Sequence, residues 1–290
     1  MIIGFGGRIK SGKTELAHIC ERFGFIRLYF AMPLKELIAE LLNTDVDGVN
    51  NMKNEELNIV FDNDKQHLIA ERTEIPYEYI HDAIDGKTFH NTREIMQYLG
   101  TDIIRRYNKD WHVNKLKEKM SPQNNYVFDD VRFDNEKEMI ETNNGVVFFV
   151  VRPYLETVSN HESEKTLRWQ SFDNIICNDN SFEKLKFKWE TFMENGFVNS
   201  MIKRAQIINK INTDEQFKTK FLCNNEDLSV FDMLFINKWE FTYDSKFFNN
   251  SHNIEKIVPT NDKLVTVYYD DSRMEVVRNP LMIEDLKFFM

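Results

Sequence analysis

"GFGGRIKSGKTELA", Gly4 to Ala17, is the stretch from which the fold is read. Within it, Gly7-Arg8-Ile9-Lys10-Ser11-Gly12-Lys13-Thr14 fits G-x-x-x-x-G-K-[ST] without a mismatch. The pattern carries meaning only between a strand and a helix, and both neighbours are predicted. Met1 to Phe5 is apolar enough for a buried parallel strand. From Lys13 onward, Leu16, Ala17, Ile19, Cys20 and Phe23 form the inner stripe of a helix. In that setting the backbone of Gly7, Lys10, Ser11 and Gly12 cradles a β-phosphate, helped by the positive N-terminus of the helix. Lys13 is placed to reach the β- and γ-phosphates, and the Thr14 hydroxyl to hold Mg²⁺. A glycine-rich turn without a ligand would leave Lys13 unexplained.

Outward from the loop, apolar runs alternate with helical patterns. "FGFIRLYFA" (Phe23–Ala31) reads as a turn and a second strand, and Pro33 starts a helix with Leu34, Leu37, Ile38 and Leu41 on one face. Residues 44 to 90 are polar, acidic and weakly periodic, an insertion at the surface. Asn91 or Thr92 caps a further helix with Ile95, Met96, Leu99 and Ile103 inward, and another follows near Trp111 to Met120. "NYVFDD" (Asn125–Asp130), "NNGVVFFVVRP" (Asn143–Pro153) and "NIIC" (Asn174–Cys177) are strands. Asn135–Glu141 and Phe182–Met193 are the helices after the first and third of these. This alternation implies an α/β fold, a parallel sheet with right-handed crossovers. After Asn195-Gly196 the pattern changes: helical segments at about 198–222 give way to β-like runs. "KLVTVYYDDSRMEVVR" (Lys263–Arg278) is a hairpin turning at Asp270 to Arg273. A boundary near 195 divides a first domain, 1–195, from an α+β extension, 196–290.

Bulk composition narrows the class. The chain of 290 residues is 42% hydrophobic and 29% charged, the balance of a globular protein able to bury a sizeable core. A net charge of −10 argues against a general nucleic-acid coat. Cys20, Cys177 and Cys223 are too scattered for a disulfide framework or a zinc cluster. The N-terminus lacks the long apolar region of a signal peptide, and no apolar run approaches the roughly 20 residues that span a membrane. The expected location is the cytoplasm, a host cytoplasm if the chain is viral.

Several further residues are candidates for chemistry. Asp129 and Asp130 end an apolar strand, where parallel sheets present their sites. One of them would support the magnesium water shell; the alternative is a carboxylate capping the next turn. Arg132 and Glu136 follow closely, and an arginine there can lean into a phosphate cleft or form a surface salt bridge. Arg93 and Gln97 share one helix face, which suits either a substrate cleft or ordinary surface. Trp111 could stack on a base, although a core position is the better reading. The polar stretch after Pro153, with Lys165 and Arg168, reads either as a lid over phosphates at about 154–171 or as a plain surface segment. His161 is a lone histidine in a polar loop, and the others lack metal-ligand spacing.

Taken in order, "GRIKSGKT", "FAMPLKEL", "TREIMQYLGTDII", "DVRFDNE", "VVRP", "HESE" and "IICNDNSFEKL" resemble the phage-type deoxynucleoside monophosphate kinases. These P-loop kinases are more distantly similar to dephospho-coenzyme A kinase and animal-type phosphomevalonate kinase. The resemblance spans about residues 1 to 192. It implies a nucleoside monophosphate kinase-like fold, a core sheet with an NMP-binding insertion at about 44–90 and a lid. It also implies transfer of the ATP γ-phosphate to a deoxynucleotide with Mg²⁺. By matching position it makes Lys13 and Thr14 the ATP and magnesium residues, Arg93 and Arg132 phosphate contacts, and Asp130, beside Asp129, the magnesium-side carboxylate. Arg168 and the pair Asn178-Asp179 fall on the ATP side, the latter beside adenine. Lys35, Gln97, Asp102, Trp111, Glu136, Glu164 and Lys165 lie in the segments that would meet the nucleotide substrate. The family's glycine after Asn-Asp is Asn180 here, and the tail beyond about 195 has no recognised counterpart.

The expected reaction needs no strong base, because a phosphate acceptor is already anionic. Two other readings stand beside it. One is a P-loop kinase acting on hydroxymethylated pyrimidines in DNA, against which it counts that the tail is not strongly basic; only under it is nucleic acid a partner. The other is a non-catalytic nucleotide-binding regulatory module. For the tail, oligomerisation is the favoured role, since small hairpins with apolar faces seek a partner surface.

Overall fold

A computed structural model describes residues 1–152, 171–172, 174–178, 181–199, 201–202, 206, 213–214, 216, 235–236, 254–261, 264–269 and 274–277. In chain order the elements begin with β1 (Ile2–Gly6), α1 (Lys13–Arg22), β2 (Phe25–Leu28), α2 (Met32–Leu42) and α3 (Val46–Asn51). There follow β3 (Ile59–Val60), α4 (Asn63–Thr73), α5 (Tyr77–Ile84), β4 (Thr88–Phe89) and α6 (Thr92–Gln97), which continues as a π-helix over Tyr98–Arg105. Next come α7 (Trp111–Lys117), β5 (Asn125–Val131), α8 (Asp134–Thr142), β6 (Val146–Val151), β7 (Asn174–Cys177) and α9 (Phe182–Glu194). The last are β8 (Phe235–Ile236), β9 (Ile254–Asn261), β10 (Leu264–Tyr269) and β11 (Met274–Val277). The expected α/β architecture is therefore present, with each predicted strand within two or three residues of its place.

The chain divides into two compact units, Met1–Arg27 with Asn124–Met290, and Leu28–Gln123. In the first, a six-stranded sheet runs in the order β2-β5-β1-β6-β7-β8. β1 pairs in parallel with β5 and β6, and β6 with β7, while β8 adds antiparallel to β7 through Ile175↔Ile236. Continuous apolar runs such as β6, buried from Val147 to Val151, are what a sheet covered on both faces requires. Under α1 and α9 the core closes around Trp189, whose ring meets Phe5 edge-on at 5.4 Å, Phe148 at 5.3 Å and Phe192 in a stack at 4.9 Å. Trp189 Nε1 donates to the Cys20 sulfur at 3.4 Å. Burial pushes the Cys20 thiol up to about 12, so it stays an inert thiol in the folded protein. The hairpin expected near the C-terminus is present as β10 and β11, joined by β9 into a three-stranded antiparallel sheet. Its turn, Asp270–Arg273, and most of the helical run expected at 198–222 lie outside the described residues.

The second unit owns a separate core. Residues 44–90, weakly periodic in sequence, contribute Val49, Phe61, Ile69, Ile80, Ile84 and Phe89 to it beside Leu34, Leu37 and Ile38 of α2. Side-chain caps start its helices: Asp45 accepts from Gly48 N at 2.7 Å, Asp62 from Lys65 N at 3.0 Å and Asn91 from Glu94 N at 2.9 Å. The helix starting at Thr92 departs from the expected α-geometry by widening at Tyr98. His112, 4% exposed, places Nε2 3.5 Å from the Gly100 carbonyl, and a side chain engaging a ladder carbonyl is one physical cause of such a departure. Among the described residues no helix is long and apolar enough to cross a membrane.

Two stability predictions follow from these cores. Trp189→Ala should cost about 3–5 kcal/mol of unfolding free energy in urea titrations, because a fully buried indole leaves a cavity. Burial, with Arg105 as a second cause, pushes His112 from 6.5 down to about 4. The unfolded chain therefore binds the extra proton between these values, and stability present above about pH 6.5 is lost as pH falls toward 4. The loss attributable to this group is about 3 kcal/mol, and a pH series of unfolding curves on His112→Gln should lack it.

Candidate active site

The phosphate loop is built on two glycines whose backbone and surroundings disfavour a side chain. Gly7 leaves β1 with φ of +130°, where a Cβ would stand 2.4 Å from the Val150 carbonyl oxygen of β6. Gly12 caps α1 with φ of +109°, and a Cβ there would meet Asn178 Nδ2 and Leu185 Cδ2 at 3.0 Å. Between them Lys10 adopts φ of 63°, and Ser11 N donates to Arg8 O at 3.2 Å to close the turn. Two side chains from other elements hold the loop. Asn178, at the end of β7 and 2% exposed, donates Nδ2 to Ser11 O at 2.9 Å, while its own N–H donates to Val151 O at 2.7 Å. Arg152, just past β6, donates Nη1 to Lys10 O at 3.3 Å with its guanidinium 4.3 Å above the Phe182 ring.

Lys13 and Thr14 face different partners. The Lys13 ammonium donates to Gly7 O at 2.6 Å and to Arg8 O at 2.5 Å, so it stands over the loop that would take the phosphates. Thr14 Oγ1 donates to Asp129 Oδ2 at 2.8 Å. The same oxygen accepts from Arg27 Nη2 of β2 at 2.6 Å. The two aspartates that end β5 are separated by a bulge. Gly4 is opposite Phe128 and Gly6 opposite Val131, so Asp129 and Asp130 together oppose Phe5 alone. A bulge of this kind re-aims side chains beside active sites. Asp129 is thereby buried against Thr14, while Asp130 is half-buried.

Arg132 follows as a half-buried residue whose N–H donates to Glu136 Oε2 at 2.8 Å. Glu136, 2% exposed, also accepts from Phe133 N at 3.2 Å and so caps α8. In the second unit, Arg93 and Gln97 are both exposed on α6, with Arg93 Nη2 3.5 Å from Asn54 Oδ1. Lys35 of α2 holds its ammonium 4.3 Å over the Tyr29 ring, and Asp102 is exposed on the π-helical turn. Trp111 is 4% exposed within the core of that unit, which favours packing over base stacking. Asp179, Asn180, Glu164, Lys165 and Arg168 lie outside the described residues, as does the expected lid apart from Ser171.

Sequence reasoning missed Arg27 and Arg152. Arg152 had a signal, since it ends an apolar strand just before a proline, where parallel sheets carry their sites. Arg27 had none, being one polar residue in a short strand far along the chain from Asp129.

Comparison with known proteins points the same way as this geometry. A family model for deoxynucleotide monophosphate kinases matches residues 31–189, more than half of the chain. That match begins after the phosphate loop, so the loop and the family match are separate observations. A protein of Acanthamoeba polyphaga mimivirus provisionally named a deoxynucleotide monophosphate kinase is 27% identical over 203 residues, covering 63% of this chain and 91% of its own. The deoxynucleotide monophosphate kinase of Escherichia phage RB69 is 32% identical over 125 residues, 41% of this chain and 51% of that protein. With a phosphate loop ending in Lys13-Thr14, an α/β sheet around it and a family match over more than half its length, the chain belongs to the deoxynucleotide monophosphate kinase family.

Proposed function

We propose that this kinase transfers the γ-phosphoryl group of ATP to the phosphate of a free deoxynucleoside monophosphate, giving the diphosphate and ADP. The observation that carries the reading is the Gly7–Thr14 loop, with Lys13 over its carbonyls and Thr14 bonded to a buried carboxylate, in a chain of this family. An anionic acceptor oxygen needs no strong base; the barrier lies in bringing two anions together in line. In this reading Lys13 exchanges the Gly7 and Arg8 carbonyls for phosphate oxygens, and the N-terminus of α1 supplies N–H donors. Asn178 and Arg152 keep the loop in the shape that receives them. Arg132, at the end of β5, and Arg93, with Gln97 on α6, are the proposed partners of the transferred and acceptor phosphates.

Thr14 Oγ1 and the Asp129 carboxylate are hard oxygen donors 2.8 Å apart, a donor set that suits Mg²⁺ with phosphate and water as its other ligands. Bound there, the ion would neutralise charge on the transferring phosphates. Asp129, not Asp130, is the carboxylate that the geometry favours for this role, with Asp130 beside it.

Lys13→Ala should lower kcat/KM by about a thousandfold, read as ADP release in the presence of deoxynucleotide. A panel with labelled ATP and each deoxynucleoside monophosphate, beside duplex DNA carrying hydroxymethylated pyrimidines, should place label in a free diphosphate. Label confined to the duplex would favour the DNA-acting kinase. Binding of ATP with no acceptor-dependent ADP would favour a regulatory module.

A further inference from the structure

We propose that Arg27 is a positioning residue for phosphoryl transfer, holding Asp129 in one orientation beside Thr14. The proposal rests on the reading of Thr14 and Asp129 as the magnesium-side pair. Arg27 Nη2 lies 2.6 Å from Asp129 Oδ2, the oxygen that also accepts the Thr14 hydroxyl at 2.8 Å. Both bonds load a single oxygen, and Oδ1 takes no hydrogen bond among the described residues. Only 6% of the Asp129 side chain and 26% of the Arg27 side chain are exposed, so solvent screens the pair weakly. The other terminal nitrogen of the guanidinium makes a longer contact at the surface. Arg27 Nη1 is 3.5 Å from His18 Nε2, and His18 Nδ1 is 2.7 Å from Glu21 Oε2. A His18 that donates Nδ1–H to Glu21 presents Nε2 as an acceptor to Arg27.

Three elements thus meet on one carboxylate: β2 brings Arg27, β5 brings Asp129, and α1 brings both Thr14 and His18. A buried carboxylate without a cation would turn toward water or draw any available positive charge. Arg27 removes that freedom, so that Asp129 would meet a hydrated ion in one orientation. Because its contact to Asp129 runs through one nitrogen, lysine can substitute in part, although it loses the tie to His18.

The test compares wild-type protein with Arg27→Met, Arg27→Lys, Asp129→Asn and the Arg27→Met/Asp129→Asn double variant. Two readouts are taken: steady-state kinetics, and melting midpoints in nucleotide-free buffer with and without excess MgCl₂. Arg27→Met should lower kcat about tenfold with the deoxynucleotide KM moved less than about twofold, and Arg27→Lys should recover part of the loss. Without its cation, Asp129 should lower the midpoint by about 5 °C and make it respond to MgCl₂ more than wild type does. The double variant should lose that magnesium response, since the carboxylate that produces it is gone. An Arg27→Met protein with wild-type kcat and a wild-type magnesium response overturns the proposal, provided Asp129→Asn alters the magnesium dependence of turnover. If Asp129→Asn leaves that dependence unchanged, the magnesium-side reading itself fails and the proposal goes with it. Should Arg27→Met not fold, the uncharged Arg27→Gln carries the same comparison, and an unchanged kcat and magnesium response there overturns the proposal.

Discussion

Gly7 turns out of β1 at a point where the Val150 carbonyl of β6 leaves no room for a side chain, and the rest of the phosphate end depends on that turn. β1 is flanked by β5 and β6 in parallel, so its C-terminal end opens beside theirs. The chain must then pass from a buried strand into α1 within six residues, Gly7 to Gly12. Two left-handed glycines and a left-handed Lys10 make the passage, and the strain is offset by Asn178 and Arg152 gripping the carbonyls of Ser11 and Lys10. Under the proposed function, preorganisation of this kind would place N–H donors for phosphate before any ligand arrives.

The neighbouring carboxylate obeys a second constraint. Asp129 is almost wholly removed from water and would be costly alone, yet it accepts from both Thr14 and Arg27. Its orientation comes from the bulge in β5, which sets two aspartates against the single residue Phe5. A regular strand would alternate them across the two faces, and nothing in the pair Asp129-Asp130 says where the alternation breaks. The family resemblance favours Asp130 by position, whereas the geometry brings Asp129 to Thr14.

The second unit shows a related departure. Ile95, Leu99 and Ile103 are buried as their spacing predicts, but the backbone that carries them widens into a π-helix. Gly100 has its Cβ position 2.5 Å from Leu34 Cδ2 and its carbonyl within reach of the buried His112. Close approach and an outside donor at one residue compete with the regular ladder; the first comes from α2, far back in the sequence, and the second from α7, the next helix. Apolar periodicity reports which residues go inward; it is insensitive to one extra residue in a turn.

Local physics accounts for what could be read directly from the chain. The strand, turn and helix of the phosphate loop, the proline-started α2, the Asn91 cap and the apolar runs of β5 and β6 are each encoded within about ten residues. Lys13 and Thr14 are identified by such local spacing alone. The partner of Thr14 sits 115 residues away, that of Asp129 on β2 sits 102 away, and the side chain bracing Ser11 sits 167 away. Those pairings exist because the sheet order places β2 beside β5, β5 beside β1, and β7 next to β6 at the same end. Sequence therefore determined that this chain holds a phosphate loop on a parallel sheet. Tertiary structure alone decided which aspartate meets Thr14 and which arginine meets that aspartate, because contact between distant strands depends on their order in space.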